Sequence, residues 1–299
     1  MITFVNAGDN ILRHCEPITS SMSLGDVQVA GSTFRELQLL NYNKALAGCQ
    51  VKDKEIYCME NALVSVESLV KLLDTNEESK IYDGDNVLAY TKDISDEDCN
   101  VITACEDDFF IQYSWNFLSV NEKLLKDIKS EISGEVYASA VIEGDIIVGE
   151  GTKILPGVFI EGNTIFGKNC KIGPNCYIRG NSYIGDNCHI GQSVEIKNCI
   201  IMNGSSIGHL SYCGDSIIAQ RVNFGAGTTT SNLRHDGKNN KSMIDGELID
   251  TGRLKMGMII GSDVHTGINT SFYPGRKIWP GMWTRPGDVV ERDLTSGAR

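Results

Sequence analysis

Between Val136 and Met202 an apolar residue returns at every sixth position. Val136, Ile142, Val148, Ile154, Ile160, Phe166, Ile172, Ile178, Ile184, Ile190, Ile196 and Met202 continue the series without a break. In a chain that is 41% hydrophobic, the chance of this is on the order of 10⁻⁵, so the period is real. Gly, Asn and Asp fill the intervals, as in Ile172-Gly-Pro-Asn-Cys-Tyr177 and Ile184-Gly-Asp-Asn-Cys-His189. Such a unit is too short for a pair of helices but suits one short strand and a tight turn. Three units close a triangular coil of about 18 residues, and coils stack at the strand spacing of about 4.8 Å. The repeated aliphatic fills the prism. The period therefore predicts a parallel β-helix, which makes the chain mainly β.

The β-helix is expected over 133–299, starting at Ser133-Gly134. After Met202 the period slips by one residue, through Ile207, Cys213, Ile218 and Phe224, and it resumes at Ile260, Thr266, Phe272, Ile278, Thr284 and Val290. A loop over 230–258 is excluded from the coils. Within it Asp245-Gly246, flanked by apolar residues, signals a hairpin. A repeat array that expels one long loop usually presents it for function.

The first 116 residues read as an abbreviated α/β domain. Strands are expected at Met1–Val5 and Val27–Ala30, and a helix after the capping box Thr33…Glu36, carrying Leu37, Leu39, Leu40 and Leu46. A second helix is expected over Leu63–Leu73, with polar loops at Thr75–Lys80 and Thr91–Asn100. Ser119 and Glu122 have capping-box spacing too, which predicts a connecting helix over 117–132.

The net charge of −12 is uneven: residues 1–130 carry 22 acidic and 11 basic side chains, the remainder 17 and 16. This argues against nucleic acid or an anionic membrane as the main partner. No apolar run reaches membrane-spanning length and the N-terminus lacks signal-peptide character, so the expected location is cytoplasmic. None of the ten cysteines forms a CxxC. Cys170 and Cys188 are 18 apart and Cys170 and Cys176 six apart, a ladder of small semi-buried residues holding free thiols rather than a converging metal site.

Arg179 and Lys197 each follow a core residue and are also 18 apart, so they leave one face of neighbouring coils. Like charges about 5 Å apart repel by ~1 kcal/mol even in water. Either both are solvated, or an anion such as a phosphate lies between them. Near the slip come His209 and Tyr212, then Asn223 and Ala226, then Asn232 with Arg234, Lys238 and Lys241 in the excluded loop. This mixture of cations and amides suits a sugar phosphate.

The run resembles the acetyltransferase domain of bacterial bifunctional glucosamine-1-phosphate acetyltransferase/UDP-N-acetylglucosamine pyrophosphorylases. It is closer to archaeal sugar-1-phosphate nucleotidyltransferase/acetyltransferases, through Val222–Thr228 (VNFGAGT), Ser231–Lys238 (SNLRHDGK), Asp250–Lys255 (DTGRLK), Ile259–Asn269 (IIGSDVHTGIN) and Tyr273–Ile278 (YPGRKI). The resemblance covers 135–294. It implies a left-handed β-helix, a homotrimer with sites between subunits, and acetyl-CoA as cosubstrate. It also implies His209 as catalytic base, with Arg179, Lys197, Tyr212, Asn223, Asn232, Lys238 and Lys241 binding an amino-sugar phosphate, glucosamine 1-phosphate above all. Ala226 matches the alanine whose backbone meets the coenzyme. At the other coenzyme-facing positions the family's small residues are replaced, with Ile268 and Arg285 standing in those segments.

The N-terminal part departs further. It is about half the length of a full nucleotidyltransferase domain, and Asn6-Ala-Gly-Asp-Asn10 lacks the glycines and the cation of the family's nucleotide loop. The leading expectation is an acetyl-CoA-dependent hexosamine-1-phosphate N-acetyltransferase. The alternatives are a bifunctional enzyme and a non-catalytic β-helix subunit that binds sugar nucleotides or protein partners. Outward-facing Phe159, Phe272, Trp279 and Trp283 are expected to serve packing against copies of the chain.

Overall fold

The computed structural model describes residues 1–49, 54–92 and 99–295. The chain divides into two compact units. One comprises Met1–His14, Met22–Val27 and Ser32–Asn116; the other comprises Cys15–Ser21, Gln28–Gly31 and Phe117–Arg299. Two short stretches from within the first 116 residues thus belong with the β-helix.

The first unit holds a five-stranded sheet in the order Ile2–Val5, Ile56–Met59, Asn86–Tyr90, Ser79–Asp83 and Asn100–Thr103. Its described helices are α1 (Asp9–His14), α2 (Phe34–Gly48) and α3 (Val66–Asp74). The capping box of α2 is formed: Glu36 N donates to Thr33 Oγ1 at 3.2 Å and Thr33 N donates to Glu36 Oε2 at 2.8 Å. Helix α3 starts later than the leucine pattern suggested, because Ala62–Leu63 form a strand and Ser65 caps the helix through Ser68 N. Ser79 and Lys80, read as loop, begin a strand that hydrogen bonds on both sides. Of the expected loop Thr91–Asn100, residues 93–98 lie outside the described residues.

The second unit is the expected left-handed parallel β-helix. Three parallel sheets, of eight, six and eight strands among the described residues, form its faces. The first face runs from Glu131–Ile132 to Lys277–Ile278, the second from Glu135–Val136 to Asn223–Phe224, and the third from Val141–Glu143 to Val289–Val290. Like residues stack in register, as Ile160 on Ile178 on Ile196. All are buried in one continuous core. At about 1.5–3 kcal/mol per buried aliphatic side chain, these ladders carry the stability of the unit.

The period breaks earlier than the sequence suggested. Ile184 pairs with Ile201, so Ile201 takes the inward position expected of Met202. A second residue is lost between Cys213 and Ile218, since Ile201 pairs with Ile218. Both deletions fall at the corner between third and first faces, where Asn198 (φ 53°) and Asp215 (φ 50°) turn the chain in the left-handed region that Asn and Asp tolerate. Beyond them, Ile217 pairs with Ile259 and skips the excluded loop. That loop contains the hairpin Lys241–Ile244/Glu247–Asp250 closed by Asp245-Gly246. Phe272, expected outside, is 2% exposed and fills the prism. Cys170, Cys176 and Cys188 are buried rather than semi-buried.

The connecting helix, α4, spans Asn116–Leu125, and Ile132 already belongs to the first coil. Ser119 and Glu122 are not its capping box. Asn116 lies at the start, its Oδ1 accepting from Gln112 N and Tyr113 N. Ser119 and Glu122 lie one turn inside, on a single stripe, and bind the excluded loop instead.

Candidate functional site

On the third face, residues on either side of each inward aliphatic point outward. Arg179 and Lys197 are register partners there, as the spacing required, and Lys197 pairs in turn with Gly214. The anion that their proximity calls for is supplied by the protein. Arg179 donates through Nε to Glu195 Oε1 at 2.8 Å and lies 2.7 Å from it through Nη2. Lys197 Nζ donates to both carboxylate oxygens of Asp215, at 3.0 and 2.8 Å.

Asp215 is the hub. Besides Lys197 it accepts from Asn198 Nδ2 at 3.2 Å and from Asn232 Nδ2 at 2.6 Å. Its side chain is only 5% exposed, so these donors are what make a buried carboxylate tolerable. Asn232 Nδ2 also donates to Tyr212 Oη at 3.0 Å. The phenol's own proton therefore remains free to donate outward. Burial first, then the charges of Asp215 and Glu195, push the Tyr212 pKa up to about 12, so that proton is present at neutral pH. Gly214 makes this arrangement possible, because a Cβ there would lie 2.4 Å from Tyr212 Oη.

The cluster continues into a shallow groove of about 370 Å³ lined by Glu122, Asn198, Asp215 and Arg253. Asn198 Nδ2 donates to Glu122 Oε1 at 2.6 Å, and Arg253 Nη2 donates to that same oxygen. Helix α4, the excluded loop and two coils are thereby joined in one polar network.

His209 ends a second-face strand, pairs with Gln192 and is exposed. Tyr212 starts the next third-face strand, so the two flank one corner. The His209 carbonyl accepts from Gly227 N at 3.2 Å and from Ser211 Oγ at 2.8 Å. Burial, then Lys171 and His209, depress the pKa of His189 on the preceding coil.

The structure brings Lys197, Tyr212 and Asn232 into one hydrogen-bonded cluster through Asp215, with the Arg179–Glu195 pair beside it, spanning the preceding coil and the strand of Lys197. Asn223 and Ala226 lie one coil beyond His209 along the second face and its corner. Ile268 lies over Ala226, whose carbonyl accepts from Asn269 N. Arg285 stacks on Gly267 rather than on Ile268, and its backbone N–H donates to Asp288. Lys238 and Lys241 are exposed on the excluded loop, outside the cluster within one chain. Sequence reasoning missed Glu195, Asp215, Gly214, Asn198, Glu122 and Arg253. An acidic residue two positions before Lys197, on the same side of the strand, was the available signal for Glu195. Asp215 was hidden by the deletions that shift the period.

Residues 160–274 match the model of the GMPPB C-terminal domain, a stretch that contains the whole Arg179–Asn232 cluster. The chain is 45% identical over 184 residues to a bifunctional sugar-1-phosphate nucleotidylyltransferase/acetyltransferase of Sulfurisphaera tokodaii, covering 61% of this chain and 46% of the relative. It is 44% identical over 180 residues to a bifunctional protein GlmU of Methanococcus aeolicus, covering 60% and 44%. With the GlmU of Methanococcus vannielii the match is 35% over 240 residues, covering 79% and 53%. The chain spans about half the length of these curated relatives. Over its C-terminal part the chain is thus similar in sequence to bifunctional sugar-1-phosphate nucleotidyltransferase/acetyltransferases, the family that its motifs resemble.

Proposed function

We propose that the chain is an acetyl-CoA-dependent N-acetyltransferase acting on a hexosamine 1-phosphate, glucosamine 1-phosphate first among them. The observation that carries this reading is the Arg179–Lys197–Tyr212–Asn232 cluster. Three donors keep hydrogens beyond these bonds: Arg179 both at Nη1 and one at Nη2, Lys197 its third N–H, and Tyr212 its O–H. Together they suit the three oxygens of a phosphate monoester, which charge-assisted donors hold strongly. Glu195 and Asp215 keep the two cations aligned before the ligand arrives, which lowers the ordering cost of binding.

The acceptor amine is an ammonium near neutral pH and cannot attack. His209, round the corner from Tyr212, takes its proton as general base. The nitrogen lone pair then adds to the thioester carbonyl carbon, and the tetrahedral intermediate collapses as the C–N bond is kept and the C–S bond breaks. The nitrogen's second proton leaves in this step, and the departing thiolate is protonated to the free thiol. Holding the phosphate fixes the amine against the coenzyme, which converts binding into a rate gain. The coenzyme is assigned to the corner of Ala226 and Ile268, with Arg285 close by.

A thiol-release assay with acetyl-CoA and a panel of amino sugars tests this. Release that depends on a hexosamine 1-phosphate, and not on the unphosphorylated sugar, is expected. Release that ignores the phosphate would remove the basis of the reading.

A further inference from the structure

The cations of the Arg179–Lys197 cluster are matched by carboxylates, whereas a second region of the same face is not balanced. A cavity of about 490 Å³, within the size range of small-molecule sites, lies between the hairpin of the excluded loop and the coil of Tyr273. Arg234, Lys241 and Arg276 line it, against a single carboxylate, Asp236. Asp236 is already taken by Arg234, at 2.8 and 2.6 Å, and Asp250 acts on Arg234 only through space. Among the described residues Lys241 has no ion-pair partner, and Arg276 donates through Nε to the carbonyl of Glu291 at 3.0 Å. Asp250 stands across the hairpin from Lys241 and Asp293 acts on Arg276 only through space, so among the described residues neither cation is held in an ion pair and three cations line the cavity against one carboxylate.

The remaining walls mix the polar Ser231, His235 and Asn240 with exposed apolar surface. The ring of Tyr273 is 50% exposed, and Leu233 and Leu248 are 45% and 49% exposed. An aromatic face beside apolar surface and two cations outside ion pairs matches a molecule with a planar ring at one end and a diphosphate at the other. A lone inorganic ion would leave the ring and the leucines uncovered. We propose that this cavity binds a nucleoside diphosphate, its phosphates on Lys241 and Arg276 and its base on Tyr273. The proposal stands on this cavity alone and does not depend on the acetyl-transfer reading. Ser231, at the cavity edge, follows Thr230 as Lys197 follows Ile196, two coils further on. At about 4.8 Å per coil this places the cavity roughly 10 Å from Lys197, a separate subsite on one face.

The test is equilibrium binding of UDP, ADP and inorganic phosphate to the full chain by calorimetry. UDP and ADP are expected to bind with inorganic phosphate weaker. Arg276→Gln should weaken UDP binding about tenfold or more through loss of a charge-assisted bond, and Tyr273→Ala should weaken it through loss of the ring, both with an unchanged melting temperature. Arg179→Gln, three coils away from the cavity edge, should leave UDP binding as it was. The source of the nucleotide follows from competition: displacement of UDP by coenzyme A assigns the cavity to the coenzyme's nucleotide end, and no displacement assigns it to a sugar nucleotide. No saturable binding of UDP or ADP up to about 10 mM, binding indifferent to Arg276→Gln and Tyr273→Ala, or binding lost in Arg179→Gln would each overturn the proposal.

Discussion

Tyr212 lies over Gly214: a methyl group at Gly214 would sit 2.4 Å from the phenol oxygen and 2.6 Å from Asn232 Nδ2. The missing side chain is what lets the phenol reach back across its own strand to meet Asn232. Gly214→Ala should therefore displace both side chains, which can swing outward, while the backbone stays in place. The expected outcome is a KM for the sugar phosphate raised about 10–100-fold, the worth of one hydrogen bond to a charged group, with little change in melting temperature. An unchanged KM would show that the Tyr212 hydroxyl does not meet the substrate.

His209 and the cations fail differently. His209→Ala should lower kcat by ~10²–10⁴ at neutral pH with substrate still bound. Arg179→Ala or Lys197→Ala should chiefly raise KM. Raising the pH should partly restore His209→Ala, because more of the amine is already neutral. Tyr212 permits this experiment: its pKa is raised to about 12, so the donating O–H persists through pH 10 and is lost only as pH rises through about 12. Near wild-type turnover of His209→Ala at pH 7 would remove His209 as the base.

Arg253 and Glu122 join the excluded loop to α4. Arg253→Ala should cost about 1–2 kcal/mol, between the values of exposed and fully buried pairs, visible as a lower denaturation midpoint. Because Glu122 also holds Asn198 and Asn198 holds Asp215, the KM for the sugar phosphate should rise as well. A stability loss with KM unmoved would confine the network to a structural role.

The loop after the first strand offers little to a triphosphate. Ala7 N donates to Glu60 Oε1 at 3.0 Å and Gly8 N to Asn6 Oδ1 at 2.6 Å, so two of its amides are occupied and a carboxylate stands beside them. UTP with a sugar 1-phosphate should release no pyrophosphate. Measurable release in a coupled assay would restore a bifunctional reading.

Leu210 and Ile268, 66% and 51% exposed, lie at the corner between second and third faces, and Trp283, 50% exposed, stacks on His265 along the second face. Such apolar surface suits packing against a further copy. Sedimentation should give a trimer, and a monomer at micromolar concentration would count against sites shared between subunits. No described helix is long and apolar enough to cross a membrane.

The six-residue period determined the β-helix, because a strand with one inward aliphatic per turn has nowhere else to bury it. The same period put Arg179 over Lys197, and the motifs named His209, Tyr212 and Asn232. What the period could not carry was the consequence of losing one residue. Deletions at Asn198 and Asp215 move Ile201 inward, bring Gly214 beside Lys197 and set Asp215 on a turn beneath it. Likewise Ser119 and Glu122 have the spacing of a helix cap, and local sequence could not reveal that Arg253, more than a hundred residues away, would claim them. Local spacing fixes which side of a strand or helix a residue leaves. Only the stacked coils decide which carboxylate meets which cation, because that partner is chosen by distance in space and by the cost of leaving a buried charge alone.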